Sequence, residues 1–194
     1  MTAKRSNKAY LLLLLLIHCS ISSLYALTGP TLMIDKNPSG TDYIYGIGPC
    51  LKYKKVSAPH DFGGDMTMWG ARFFAGRLND PAIGLMFQAG TLSGPSMKLN
   101  LEMTGLTFED SFREDSRVLW RVTLGAGKYR LRMKTSGLEL NKGSFTFFEP
   151  MIVGLLPLNR HMVLEFSAGY TFAGSTGVKI EGLALQSELL LGKF

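Results

Sequence analysis

From about residue 42 to the C-terminus, apolar and polar side chains alternate. Over 42–54, Tyr43, Tyr45, Ile47, Pro49, Leu51 and Tyr53 share one parity, and Asp42, Ile44, Gly46, Gly48, Cys50 and Lys52 take the other. A period of two places successive side chains on opposite faces of a β-strand. The pattern recurs at 67–76, 83–90, 97–104, 117–134 and 161–172, and, with mixed faces, at 143–156 and 178–194. Turn formers separate the runs: Asn79-Asp80-Pro81, Ser93-Gly94-Pro95, Pro157-Leu158-Asn159 and Gly174-Ser175-Thr176-Gly177. The alternation slips at Thr104-Gly105 and at Gly125–Lys128. Read as bulges, the slips leave eight antiparallel strands joined as neighbours; read as turns, they make ten. The short linkers favour eight.

The first 26 residues follow other rules. Lys4, Arg5 and Lys8 precede the apolar run Leu11–Ile17, then come Ser20, Ser22 and Ser23 and a small residue, Ala26. This is the tripartite form of a secretory signal cleaved after Ala26. The apolar run is too short for a spanning helix, and His18 before Cys19 argues against a lipoprotein. The expected organisation is a signal peptide over 1–26, an N-terminal segment over 27–41 and a β-barrel over 42–194. Three of the 21 basic residues lie in the signal, leaving 18 against 15 acidic ones. So slight an excess gives no reason to expect nucleic-acid binding. Only Cys50 remains after cleavage, so the mature chain has no internal disulfide.

Alternation alone does not say which face is inside. A membrane barrel points its apolar face outward, a soluble lipocalin-like barrel inward. Here the polar face combines Gly46, Gly48, Gly70, Gly84, Gly125 and Gly169 with Lys52, Arg72, Lys98, Glu102, Arg121 and Glu165. Glycine beside long charged groups suits a narrow lumen and would weaken a solvent-facing strand. Tyr43, Tyr53, Trp69, Tyr129 and Tyr170 recur on the apolar face, as interfacial girdles require. The chain ends in a strand-like stretch closing on Phe194.

In these features it resembles the superfamily of small outer-membrane barrels of the opacity-protein and OmpA-transmembrane-domain type. The resemblance covers the whole mature chain and rests on pattern. It implies an antiparallel up-and-down transmembrane β-barrel surrounded by outer-membrane lipid. It also implies that Phe194 is the C-terminal signal read by the barrel-assembly machinery. Phe194 shares its parity with Gly192, Leu190, Glu188 and Gln186, whereas Leu183, Leu185, Leu189 and Leu191 have the other parity.

Catalytic motifs are missing. There is no Gly-x-Ser-x-Gly elbow, no zinc spacing and no phosphate-binding glycine loop, so neither cofactor nor metal is expected. His60, Asp61 and Asp65 sit in a turn-forming segment. His161 follows Asn159-Arg160, and no motif joins it to Ser167 in a nucleophile–base pair.

The distinctive constellation is a lumen charge network of Arg72, Arg121, Arg130 and Arg132 with Glu102 and Glu165, which Glu149 and Glu188 join if their strands face inward. Eight strands leave little more than side-chain space, so the network reads as a plug before it reads as a solute path. The expected function is a non-enzymatic outer-membrane barrel with a structural or surface-interaction role. The alternatives are a narrow channel, a lipid-modifying enzyme and a soluble periplasmic binding barrel. With the N-terminus in the periplasm, the 55–66, 91–95, 135–142 and 173–177 connections face the exterior. The 77–82, 105–116 and 157–160 connections face the periplasm. The sequence identifies no extracellular partner.

Overall fold

A computed structural model describes residues 43–59, 62–77, 80–111, 117–174 and 177–194. The expected signal peptide, the 27–41 segment, His60 and Asp61 lie outside the described residues. Eight strands follow one another: β1 (Tyr43–Ala58), β2 (Phe62–Arg77), β3 (Ala82–Ser93), β4 (Met97–Ser111), β5 (Val118–Met133), β6 (Glu139–Asn159), β7 (Met162–Gly174) and β8 (Gly182–Lys193). Each pairs antiparallel with its neighbour, and β8 returns to β1, so the sheet closes into a barrel.

The strand number is eight, and the two slips are neither bulges nor turns. β4 runs straight through Thr104-Gly105, and β5 through Gly125–Lys128. The two pair from Met97↔Met133 to Ser111↔Leu119 without a shift. The register shifts fall elsewhere, on β6, opposite Leu131/Arg132 and at Pro157/Asn159. What changes at the slips is the chemistry of the two faces. Below them β4 points Leu106 and Phe108 outward and Thr107 and Glu109 inward. Above them it points Lys98, Asn100 and Glu102 outward and buries Leu99, Leu101 and Met103. β5 does the same: Trp120, Val122 and Leu124 face out below, and Lys128 and Arg130 face out above, with Tyr129 and Leu131 buried.

The barrel is therefore two barrels end to end. The half holding Tyr43 and Phe194 is apolar outside and polar inside. Its outward residues include Tyr43, Ile47, Tyr53, Trp69, Phe87, Ile152, Phe172 and Leu183, the last 73% exposed. An apolar surface around the whole circumference suits lipid rather than water. On β1 it runs from Tyr43 to Tyr53, about 33 Å along the strand, or about 25 Å of height at a tilt of about 40°. Its upper edge steps against the register. Tyr53 stands opposite polar Thr67, and Phe87 opposite Thr104, as a level plane must when it crosses tilted strands.

The other half is polar outside and packed with hydrocarbon inside. Met66, Met68, Leu99, Leu101, Met103 and Leu131 are nearly inaccessible, with Phe145 and Phe147 among them. Glycine makes the room: a Cβ on Gly127 would overlap the Phe145 ring, and one on Gly125 would come within 2.7 Å of Phe147. Leu99, Leu101, Tyr129 and Leu131 belong to the apolar parity of their strands, which a membrane barrel would turn to lipid throughout; here all four are core. β7 and β8 are shorter than β6 and β1, and the connection after β7 fills the gap. It inserts Val178 and Ile180 into the core, and Lys179 pairs with Ser57 through two backbone hydrogen bonds of 2.7 and 3.0 Å.

Candidate functional site

The interior of the lipid-belted half holds the chemistry. Among the described residues it buries Lys52, Lys54, Arg72 and Arg121 with Glu109, Glu149, Glu165 and Glu188, four cations and four carboxylates. Each sits there by strand parity. Arg72 follows outward Ala71, Arg121 follows outward Trp120, and Glu109 follows outward Phe108.

Two guanidinium groups and three carboxylates form the centre. The Arg72 Nε donates to both oxygens of Glu188, at 2.9 and 3.0 Å. Its Nη1 donates to Glu109 at 2.8 Å, and its Nη2 donates to Glu165 at 3.0 and 3.1 Å. Arg121 donates from Nε to Glu109 at 2.7 Å and from Nη2 to Glu165 at 2.6 Å, and its Nη1 lies 3.6 Å from Glu188. The planar fork of arginine presents several donors at fixed angles, which suits it to bridging carboxylates in this way. The Arg72 guanidinium also lies 4.8 Å from the centre of the Phe74 ring.

A chain of hydrogen bonds leads up from this cluster. Gln186 donates to Glu188 at 3.3 Å, Gln88 donates to Gln186 at 2.8 Å, and Lys52 donates to Gln88 at 3.2 Å. Lys52 also pairs with Glu149, which accepts from Thr171. Every strand contributes: Lys52 from β1, Arg72 from β2, Gln88 from β3, Glu109 from β4, Arg121 from β5, Glu149 from β6, Glu165 and Thr171 from β7, and Gln186 and Glu188 from β8. The network is a strut across the lumen. The Lys54 ammonium lies above it, buried, without a hydrogen-bond partner among the described residues.

Apolar layers close the network on both sides. Above is the hydrocarbon core. Below, Phe74, Ala82, Val163 and Leu190 pack with Ile44, Leu155 and Phe194. Phe194 turns inward, its ring 6.0 Å from that of Phe74. Its parity with Glu188 and Leu190, already visible in the sequence, has this consequence: the terminal ring joins the lower plug.

Of the residues expected in the lumen, Arg72, Arg121 and Glu165 meet in the central cluster. Glu102, Arg130 and Arg132 do not join them. Glu102 and Arg130 are exposed on the outer wall, and Arg132 is half-buried there. Arg130 pairs with Glu139 at 3.3 Å. They lie above the level at which the faces exchange character, so their parity points to water. Glu149 and Glu188, left open by the sequence, face inward. Glu109 lies in 105–116, which the sequence pattern reads as a connection; the alternation of Leu106 and Phe108 with Thr107 and Glu109 is the signal that it is strand. Of the expected girdle, Tyr129 is instead buried.

His161 is exposed, its Nδ1 3.3 Å from the carbonyl of Gly192, while Ser167 faces the lumen with its hydroxyl 3.5 Å from the carbonyl of Gln186. Among the described residues no three His, Cys, Asp or Glu side chains are arranged to hold a metal ion.

A closed barrel, lipid-facing over one half and cross-braced by buried ion pairs, defines a small transmembrane β-barrel protein whose lumen is occupied by its own side chains. The structure is similar to that of Ail, the attachment invasion locus protein of Yersinia pestis, with a TM-score of 0.54 and 14% identity over 78% of this chain and 98% of that one. It is also similar to Neisserial surface protein A, with a TM-score of 0.51 and 17% identity over 77% of this chain and 97% of that one. No family model and no curated protein matches the sequence. At these identities the likeness is one of fold, the eight-stranded barrel of small outer-membrane proteins, which is also the fold that the sequence pattern implied.

Proposed function

We infer that this chain is exported, loses residues 1–26 and resides in the bacterial outer membrane as a non-enzymatic structural or surface-interaction protein. The observation that carries the reading is the filled lumen. The ion-paired strut spans all eight strands and lies between two apolar layers, so the barrel wall is braced rather than hollow. The half with the hydrocarbon core then stands at the outer face of the membrane as a rigid polar collar. Its connections are short, and contact with other molecules is made by the strand walls rather than by long loops. The barrel-assembly machinery is the partner expected to read the C-terminal strand.

Single-channel recording in planar bilayers tests the reading. The expected result is no conductance steps; stable steps would favour the narrow channel instead. N-terminal sequencing of the membrane-extracted protein is expected to begin at Leu27 or within a few residues of it, and retention of Met1 would contradict export by cleavage.

A further inference from the structure

The outer wall of the collar is unevenly charged. Lys98 on β4, Lys128, Arg130 and Arg132 on β5, Lys134 after it and Lys142 on β6 share one side with only Glu102 and Glu139 as acids. Elsewhere on the collar, among the described residues, Lys55 and Lys179 are balanced by Asp65 and Glu181.

The arrangement is unfavourable for the sheet itself. Lys98 stands directly opposite Arg132, and Arg130 directly opposite Lys142, and like charges at opposed positions destabilise an antiparallel pair. Glu139 offsets part of this, 3.3 Å from Arg130 and 2.9 Å from Lys142, yet those two side chains remain 52% and 72% exposed. Lys128 stands opposite Glu102 and Arg132 opposite Glu139 without closing to ion-pair distance, and Lys98 and Lys134 form no ion pair with a described residue. The patch begins where lipid ends: Lys128 is two residues above Ala126 and four above lipid-facing Leu124. Two residues span about 7 Å along the strand, or about 5 Å of height at a tilt of about 40°, and the polar headgroup layer is about 5–7 Å deep on each side of the hydrocarbon. Lys128 therefore sits at headgroup depth, with Arg130 about 5 Å and Arg132 about 10 Å higher.

We propose that the β4–β6 wall of the collar is a binding site for phosphate-bearing lipid headgroups of the surrounding leaflet. Arginine and lysine bind phosphate oxygens through charge-assisted hydrogen bonds, and a bound anion relieves the opposed like charges. That the leaflet is the outer one rests on the proposed orientation; the site itself does not.

The test uses the full exported chain refolded in a neutral detergent. It is titrated separately with dihexanoyl phosphatidic acid, dihexanoyl phosphatidylcholine, inorganic phosphate and a soluble sulfated polysaccharide, and amide chemical shifts are followed. The expected result is saturable shifts with phosphatidic acid at residues 98–102, 128–132 and 142–144, with far weaker effects from phosphatidylcholine and inorganic phosphate. Lys128→Gln with Arg130→Gln is expected to weaken binding by roughly tenfold or more, as is salt of about 0.5 M. Should that pair fail to refold, Lys98→Gln with Lys142→Gln makes the same test.

Equal response to the two lipids, inorganic phosphate as effective as phosphatidic acid, shifts spread evenly to Lys55 and Lys179, an unchanged affinity in the variants, or response to the polysaccharide alone would each overturn the proposal. None of these outcomes touches the filled-lumen reading, which conductance tests separately.

Discussion

Arg121 illustrates what a buried charge does here. It contacts Glu109 and Glu165 and approaches Glu188, and it is only 1% exposed. Arg121→Met leaves those carboxylates with Arg72 as their one remaining cation among the described residues, and removing one partner of a buried ion pair typically costs about 3–5 kcal/mol. Reversible urea unfolding of the refolded barrel is expected to show a loss of that order. Glu102→Gln, on the exposed wall, is expected to leave the transition unmoved. The leucines of β4 divide in the same way. Leu99→Ala empties part of the hydrocarbon core, at about 2–5 kcal/mol. Leu106→Arg places a cation in lipid near the upper rim of the belt, at less than the about 2–4 kcal/mol of a midplane site. If Glu102→Gln unfolds the protein while Arg121→Met is silent, the lumen assignment is wrong.

At the scale of a strand, the sequence reveals parity but not solvent. The strands flanking Trp69, Ile83 and Tyr170 are read correctly, because the resolved alternation lies within the lipid-belted half. On β4 the clean alternation of Leu99, Leu101 and Met103 with Lys98, Asn100 and Glu102 lies above the lipid, where an apolar residue belongs inside. The pattern is identical in form and opposite in meaning. The exchange registers in the sequence as the slips at Thr104-Gly105 and Gly125–Lys128, which resemble bulges because either event reverses the parity of the apolar set. Glu102, Arg130 and Arg132 lie above the exchange and therefore on the outer wall, whereas Arg72, Arg121 and Glu165 lie below it and point into the lumen. Single cysteines along the outward face of β4 would locate the exchange. A membrane-impermeant maleimide is expected to label position 102 in reconstituted vesicles and to spare 106 and 108. Cys50 is buried and should add little background. Labelling at 106 equal to that at 102 would remove the lipid from that level.

For the whole molecule, the height of the apolar belt sets the preferred bilayer. A belt of about 25 Å matches the apolar band of outer-membrane barrels and is thinner than an average hydrocarbon core of about 30 Å. Thermal unfolding in phosphatidylcholine vesicles of increasing chain length is expected to peak with the short saturated chains that match the belt. Longer chains would have to thin around the barrel or meet the collar, at fractions of a kcal/mol per ångström of mismatch. A transition that climbs steadily with chain length would mean that the collar, too, lies in lipid.

The exchange of faces also answers a problem that a uniform strand leaves open. In a strand that alternates evenly, sliding by two residues past its neighbour returns every side chain to its proper face, so only the turns oppose the error. Here a slide of two is punished. Moving β4 down by that amount would bring Glu102 to the level of Thr104 and carry Gly105 and Thr107 out of step with Gly125 and Thr123. Slides of one are punished twice, since they would turn Glu109 to lipid and Leu101 to water. β4 and β5 thus carry their own depth mark, and with connections this short the pair can find its vertical alignment from the strands themselves.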